Sequence, residues 1–324
     1  MVKIDLKDRK ILYQLDLNCR QSNTQIGKKV GLKKDVIAYR INRMKKEGII
    51  KNFFTVIDAF KLGYSVYRFY LKFQDIPINI KNEIINYFVK YKNSWSVYSM
   101  SGPFDFGTVL WIKNIYEFYQ VYDELLDKYG KYISQKIVSI YVQADEYEKS
   151  YLLINDYKEL DRKKFTIIAD GKLVEIDEID YKILDLLALN ARRPLIEIAE
   201  KLKISSQTIK YRIDNLLKSG VIKGFRINLD ISKLDLQYFD LRLNLSEHSH
   251  RKHIVDYLKK IPYFKCLNTT IGYIDLETEF HIKDMESVIK ILEELSVKFP
   301  GSIREHYFLR TRETHKERWL PEFG

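Results

Sequence analysis

The stretch KKDVIAYRINRMKKEGII, residues 33–50, returns in altered form as SSQTIKYRIDNLLKSGVI, residues 205–222. The two copies lie 172 positions apart and share seven identities without a gap. Each carries an aliphatic stripe at i, i+4 and i+7, which predicts a helix with one buried face, and each then has a glycine suited to a helix C-terminus. A repeat of this kind indicates that one structural unit is built twice.

The repeat continues on both sides of the quoted stretches. IDLKDRKILYQLDLNCR (4–20) aligns with IDEIDYKILDLLALNAR (176–192), and both have the apolar spacing of a helix. A short amphipathic helix follows in each copy, with Ser22 or Asn23 as a cap in the first and Pro194 in the first turn of the second. An extended segment ends each copy. The pattern predicts a winged helix-turn-helix at residues 1–58 and a second one at residues 173–230.

A different pattern follows each winged helix. Residues 62–145 and 235–314 alternate strand-like and helix-like segments in the order βαββαβ, which is typical of a ferredoxin-like domain. Helices then cover one face of a sheet and leave the other face free to pair. The predicted fold class is α+β, with two winged helices each followed by a ferredoxin-like domain, a charged linker at 146–172 and a tail at 315–324.

The positive charge of the chain is unevenly placed. Residues 1–55 hold 14 Lys or Arg against five Asp or Glu, whereas residues 173–229 hold ten against eight. The net charge of +11 therefore lies within the two predicted winged helices, and mainly in the first. A basic excess confined to such segments predicts a surface that faces a polyanion.

Composition predicts a cytoplasmic protein. No apolar run approaches the roughly 18 residues that cross a bilayer, and the start MVKIDLKDRK lacks the apolar core of a signal peptide. The two cysteines, Cys19 and Cys266, stand in different halves within apolar patterns, so we expect buried free thiols. No membrane partner is predicted.

The motif D-x-x-D-x-x-I-L, then L-N-x-R, I-x-Y-R-I and G-(I/V)-I-K, resembles the winged helix of the Lrp/AsnC family of prokaryotic transcription regulators. The βαββαβ segments are similar to the ligand-sensing and dimerising domain of that family. The resemblance implies protomers that pair through their sheets, so this tandem chain is expected to act as a homo-oligomer or as an intramolecular pseudo-dimer. It also implies double-stranded DNA as the partner and no cofactor.

In that family the turn between the second and third strands of the sensing domain lines a small-molecule site, often for an amino acid. Here the resemblance implies effector sites at Gly102 with Asp105 and at Gly272 with Asp275. Glycine and aspartate are equally common in plain β-turns, and Pro103 removes one amide donor beside the first site. Both interpretations stay open.

The outward face of each third helix follows from its buried stripe. Side chains suited to phosphates and base edges face outward there. The predicted DNA contacts in the first copy are Lys33, Lys34, Ala38, Tyr39, Arg40, Asn42 and Arg43, with Asp35 on the same face; in the second copy they are Ser206, Gln207, Lys210, Tyr211 and Arg212, with Asp214 and Asn215 on the same face. Arg40 and Arg212 are equally suited to support the winged helix from within.

Other functions find less support in the residues. His250 and His253 stand one helical turn apart, but no third ligand is near in sequence, so no metal is predicted. No phosphate-binding glycine loop, paired catalytic carboxylates or nucleophile elbow is present, so the chain is not expected to be an enzyme. Some proteins of similar architecture decarboxylate tetrapyrroles of the sirohaem type, and this is the alternative function. A third possibility is a sensing or assembly module that binds no nucleic acid.

Overall fold

A computed structural model describes residues 4–156 and 162–322 of the 324-residue chain. In its first half, three helices and a strand form a unit that we name head 1, and a βαββαβ unit follows. Head 1 consists of α1 Leu6–Leu17, α2 Asn23–Val30, α3 Lys34–Lys46 and β1 Ile50–Ile57; the following unit consists of β2 Ser65–Phe73, α4 Ile78–Lys90, β3 Ser94–Ser101, β4 Phe106–Ile112, α5 Ile115–Tyr129 and β5 Ile133–Tyr147.

One further strand, β6 Lys164–Ile168, lies in the predicted linker and leads to the second half. In the second half the elements follow in the same order as in the first. Its first three helices and the strand after them form a unit that we name head 2. Head 2 consists of α6 Glu178–Leu189, α7 Leu195–Leu202, α8 Ser206–Lys218 and β7 Ile222–Leu229; the following unit consists of β8 Gln237–Leu245, α9 Arg251–Leu258, β9 Phe264–Ile271, β10 Leu276–Ile282, α10 Met285–Lys298 and β11 Ile303–Glu317.

Local sequence signals explain the helices of head 1. Asp5 and Asp8 form a reciprocal capping box at the start of α1, and Ser22 does the same with Gln25 at the start of α2. Gly31 ends α2 in the left-handed conformation at φ 70°, which a residue without Cβ adopts without strain. The tight turn into α3 also requires Gly27, because a Cβ there would lie 2.5 Å from the carbonyl oxygen of Leu32.

Strands β1 and β7 pair antiparallel in a two-stranded ribbon between the heads. Phe54 and Arg226 occupy equivalent positions of the repeat and face each other directly in this ribbon. A pseudo-two-fold axis therefore passes between them and relates head 1 to head 2.

The two βαββαβ units share one closed sheet. The strands follow the order β2-β4-β3-β11-β8-β10-β9-β5, and β2 also pairs with β5, so these eight strands form a barrel with β6 added outside the ring. The predicted α+β class is confirmed, and the sheets of the two units join within one chain.

Both faces of the barrel wall are packed. Helices α4 and α5 cover one outer side over residues such as Phe69 and Phe106, and α9 and α10 cover the other over Leu241 and Phe280. The inner face packs against the ribbon and the heads. Residues of the inner face therefore lie where the two repeats contact each other.

The ends of two strands, the linker and the tail differ from the sequence prediction. Strands β5 and β11 run to residues 147 and 317, beyond the predicted ends of their domains at 145 and 314, because each crosses from its own sheet to the opposite one. The predicted linker contributes β6 to the sheet. The predicted tail begins inside β11, and its residues Arg318, Trp319 and Leu320 are buried.

Candidate nucleic-acid interface and central cavity

The outward face of α3 is open to solvent. Ile37, Ile41 and Met44 are buried, as the stripe predicts. Tyr39 keeps 67% of its surface exposed and Ala38 is half-buried. The other exposed members of the predicted face are Lys33, Lys34, Asp35 and Asn42.

The face of α8 has the same geometry with different side chains. Ile209, Ile213 and Leu216 are buried, and Ser205 caps the helix by accepting a hydrogen bond from the backbone N–H of Thr208. Tyr211 is 66% exposed, nearly the same fraction as its counterpart Tyr39. The other residues predicted on this face are exposed or half-exposed: Ser206, Gln207, Lys210, Asp214 and Asn215.

The structure places the arginines at the edge of each recognition helix in ion pairs. Arg40 lies 2.8 Å from carboxylate oxygens of both Asp5 and Asp8, and Arg43 lies 2.5 Å from Asp8. In head 2, Arg212 bonds Asp177 and Asp180 in the same way, at 2.8 and 2.9 Å. Hydrogen bonding to the two carboxylates raises the pKa of Arg40 and of Arg212.

These pairs tie each recognition helix to the N-terminal cap of the first helix of its head. They agree with the supporting role that the sequence left open for Arg40 and Arg212, and contact of these side chains with DNA stays a prediction. The free faces of α3 and α8 are thereby held at a fixed angle within each head.

The heads are joined crosswise by backbone hydrogen bonds. The N–H of Cys19 donates to the carbonyl oxygen of Phe225 at 2.8 Å, and the N–H of Ala191 donates to that of Phe53 at 3.0 Å. These two bonds join equivalent residues, because Cys19 aligns with Ala191 and Phe53 aligns with Phe225. Arg20 of head 1 also donates to the carbonyl oxygen of Ala191 in head 2 at 2.7 Å. The relative position of the recognition helices is therefore fixed by the ribbon and by the helix ends.

The predicted effector residues lie at the ends of the barrel strands. Asp105 accepts a hydrogen bond from the backbone N–H of Phe73 at 2.9 Å, and Asp275 accepts one from that of Leu245 at 2.8 Å. Both carboxylates therefore hold their own sheets together. A Cβ at Gly102 would lie 2.5 Å from the carbonyl oxygen of Phe308, so this turn packs against the other half of the chain. A Cβ at Gly272 would similarly lie 3.0 Å from that of Val138, and effector binding at these loops stays a prediction.

A cavity of about 610 Å³ opens between the barrel and the ribbon. Its mouth carries three exposed cations, Lys51, Arg310 and Arg312, and its inner wall includes Lys265 and His281. The aromatic side of the cavity is formed by Trp95, Tyr98 and Trp319.

The cavity lies where the pseudo-symmetry is broken. The last part of β5, Gln143–Tyr147, pairs with β9 on one edge and with β6 on the other. The equivalent part of β11, residues 313–317, pairs with β3 on one edge, while no strand of the described residues pairs with its other edge. The first half thus has a strand where the second half has the cavity.

Ionisable groups lie in pairs in the wall of the cavity. Lys265 lies 2.8 Å from Glu279, and Arg68 forms ion pairs with Glu277 and Glu279. Burial, together with the charges of Lys265 and Lys149, holds the pKa of His281 well below its ordinary value, so the imidazole is neutral at pH 7. The inner cations are therefore neutralised by carboxylates of the protein itself.

A second charged cluster joins head 1, head 2 and the residues after β5. Asp16 of α1 accepts hydrogen bonds from Arg226 and from Lys149, and all three side chains are buried. Residue-by-residue sequence reasoning missed this cluster. A signal was present, because Asp16 aligns with Ala188 and Arg226 aligns with Phe54, so the repeat exchanges apolar residues for charged ones at these sites.

Two further features concern metal binding and membrane crossing. Within the described part of the chain, no group of three or more His, Cys, Asp or Glu residues is placed to hold a metal ion. Across residues 4–156 and 162–322, no helix combines the length and the apolar character that a membrane crossing requires.

The fold and the two open recognition helices define a tandem winged-helix protein. A family profile described as winged helix-turn-helix DNA-binding matches residues 4–51 and 176–223. The HTH-type transcriptional regulator Ptr1 of Methanocaldococcus jannaschii is 31% identical over 119 residues, which are 37% of this chain and 80% of that protein. LysM of Saccharolobus solfataricus, another HTH-type transcriptional regulator, is 30% identical over 124 residues, 37% of this chain and 83% of that protein. The chain belongs to the Lrp/AsnC family of helix-turn-helix regulators.

A solved structure extends the likeness to the whole chain. The siroheme decarboxylase NirDL superposes with a TM-score of 0.66 over 98% of this chain and 94% of its own length, at 13% sequence identity. At this identity the likeness concerns the fold, and it confirms that two copies of the unit combine in one polypeptide.

Proposed function

We propose that this chain is a sequence-specific regulator of transcription that binds double-stranded DNA through both recognition helices and performs no chemical step. The observation that carries the proposal is the pair of open helix faces, on which Tyr39 and Tyr211 project at nearly equal exposure from heads related by a pseudo-two-fold axis. A helix-turn-helix dimer presents its recognition helices to two half-sites in this way.

Charge supports the same function. Residues 33–46, which include α3, carry six basic side chains and one acidic one. Lysines near a recognition helix neutralise phosphates and release counterions, which gives affinity that falls with salt. Tyr39 and Asn42 lie between these lysines and are suited to contacts with base edges.

The experiment is a mobility shift on duplex DNA at several salt concentrations. Lys34→Ala should weaken binding to all sequences and reduce the salt slope by about one, because one phosphate contact is lost. Tyr39→Ala should instead change the preference among sequences. Lys290→Ala removes an exposed lysine from α10, on the outer side of the barrel, and should bind as the wild type does. Equal binding by the wild type and by both head 1 variants would refute the proposal.

The cavity favours a second candidate, the binding of a tetrapyrrole that carries carboxylate side chains. The specific observation is the set of cations at its mouth, Lys51, Arg310 and Arg312, beside the aromatic wall. The structural likeness to a siroheme decarboxylase supports this candidate, and it covers 98% of the chain. The similar transcriptional regulators support the first candidate, and each of them covers 37% of the chain. The pairing of the inner cations with Glu277 and Glu279 speaks against it, because it leaves fewer positive charges for ligand carboxylates.

An absorption titration separates the two candidates. Iron uroporphyrin III added to the protein should shift its Soret band and saturate at one equivalent if the cavity binds a tetrapyrrole, and Arg312→Ala should weaken that binding. Incubation with sirohaem followed by mass spectrometry then tests for loss of carboxyl groups. An unchanged spectrum with folded protein rules this candidate out and leaves DNA binding untouched.

A further inference from the structure

The geometry of the ribbon fixes how the two heads face a partner. Phe54 and Arg226, which are equivalent in the repeat, lie opposite each other in the antiparallel ribbon, so head 2 is an inverted copy of head 1. The reciprocal hydrogen bonds Cys19 to Phe225 and Ala191 to Phe53 hold this arrangement. Inverted heads on a DNA duplex meet inverted half-sites.

The two heads carry different side chains on the surfaces that face outward. Of the six outward positions of each recognition helix, one has the same residue in both copies, Tyr39 and Tyr211. The other five pairs are Lys34 and Ser206, Asp35 and Gln207, Ala38 and Lys210, Asn42 and Asp214, and Arg43 and Asn215.

These differences change the bases that each helix can recognise. Asn42 presents an amide, which pairs with the N6 and N7 edge of adenine, whereas Asp214 at the same position accepts hydrogen bonds only, as from the amino group of cytosine. Ala38 offers a methyl group for contact with thymine, whereas Lys210 donates to guanine. The shared tyrosine gives both helices the same contact at one place.

A homodimer presents one recognition surface twice, and this chain presents two. Because both heads belong to one polypeptide, each molecule always brings one head of each kind. No exchange of subunits can pair head 1 with a second head 1 in this fixed frame.

We infer that the DNA recognised by this chain is an inverted pair of unlike half-sites, read by α3 on one side and by α8 on the other. The inference rests on the proposed DNA binding and names the class of site. The half-site under head 1 carries most of the salt-dependent affinity, since residues 33–46 hold four lysines and residues 205–218 hold two, apart from the arginines that are paired with aspartates. The half-site under head 2 adds sequence discrimination and fixes the register.

The test begins with selection of bound duplexes from a random pool by the full chain. From the selected site, two palindromes are made at the same spacing, one with the head 1 half-site repeated and one with the head 2 half-site repeated. The selected site should bind at least about tenfold more tightly than either palindrome, because each palindrome leaves one helix on the wrong bases. A palindrome that binds as tightly as the selected site overturns the inference.

A variant with the surface of α3 placed on α8 provides the second arm. Its five substitutions fall on exposed or half-exposed positions, so the buried stripe and the cap are kept: Ser206→Lys, Gln207→Asp, Lys210→Ala, Asp214→Asn and Asn215→Arg. This variant should now prefer the palindrome of head 1 half-sites. If it still prefers the selected site, α8 does not read its half-site and the inference fails. If the folded protein enriches no sequence from the pool, the proposed DNA binding itself is refuted. That result differs from the two outcomes that overturn only the inference of unlike half-sites.

Discussion

The guanidinium group of Arg226 lies 2.7 Å from the carboxylate of Asp16, and both side chains are fully buried. This ion pair joins strand β7 of head 2 to helix α1 of head 1. Lys149, which follows β5, adds a hydrogen bond to the same carboxylate at 2.8 Å. The three elements that meet here belong to both repeats, so the pair holds the single-chain pseudo-dimer together at its centre.

We expect Asp16→Asn to destabilise the protein strongly. The substitution removes one partner of a buried ion pair and leaves Glu146, 3.4 Å from Arg226, as the remaining carboxylate beside the charges of Arg226 and Lys149, which costs about 3–5 kcal/mol. Urea denaturation followed by circular dichroism measures the loss. Asp127→Asn, which neutralises an exposed carboxylate of α5, should stay within about 0.5 kcal/mol of the wild type. Equal stability of the two variants would show that the cluster does not hold the heads.

The same carboxylate predicts a pH dependence. Burial opposes the ionisation of Asp16, but the charges of Arg226 and Lys149 outweigh burial and lower its pKa to about 2. Because the folded pKa is below that of the unfolded chain, the stabilisation is present above about pH 4 and is lost as the pH falls through about 2. The loss should amount to about 2 kcal/mol in unfolding experiments across this window. If the free energy of unfolding of Asp16→Asn falls with pH as steeply as that of the wild type, other groups cause the pH dependence.

Trp319→Ala should destabilise the cavity wall and the tail. The ring of Trp319 lies 4.7 Å from that of Trp95 and stacks on Phe54 at 5.9 Å between centroids. Removing such a buried ring costs about 3–5 kcal/mol. Thermal unfolding is the measurement, and Tyr116→Ala, at a position that is 65% exposed, is the control. Similar melting temperatures for the two variants would mean that the tail contributes no packing.

Gly107→Ala tests the close packing of the barrel interior. An added Cβ would lie 2.5 Å from Cε2 of Tyr98, whose ring is buried. Relief of this clash requires a shift of the ring or the strand and should cost about 1–3 kcal/mol. Gly130→Ala is the matched control, because a Cβ there meets no atom within 4 Å and the backbone is already helical. Stability equal to that of the control variant would contradict the packing of Tyr98 over Gly107.

Much of this architecture could be predicted from the sequence, because it is encoded locally. The stripe of Ile37, Ile41 and Met44 placed α3, and the offset of 172 residues predicted the second head from the first. The order βαββαβ gave the sheet of each half. These features depend on periodicity and capping, which neighbouring residues determine.

Long-range contacts were not accessible in the same way. The pairing of β5 with β9 and of β11 with β3 depends on the closure of the barrel, so the lengths of β5 and β11 were underestimated. Burial of Trp319 depends on its meeting Trp95, more than 200 residues earlier in the chain. The ion pairs of Arg40 follow from the fold of head 1, and the sequence offered two roles for that residue without a means to choose.

Hydroxyl-radical footprinting of the full chain on a selected duplex tests the central claim most directly. Two heads fixed by the ribbon should protect two separate windows of the backbone, spaced by one helical turn of about 10 base pairs or a multiple of it. Tyr211→Ala leaves the ion pairs of Arg40 and Arg212 unchanged, so both heads keep their fold. This variant should lose contacts in the window under head 2 and keep the contacts in the other window. Protection of a single window by the folded wild type, or no protection at all, would contradict the account.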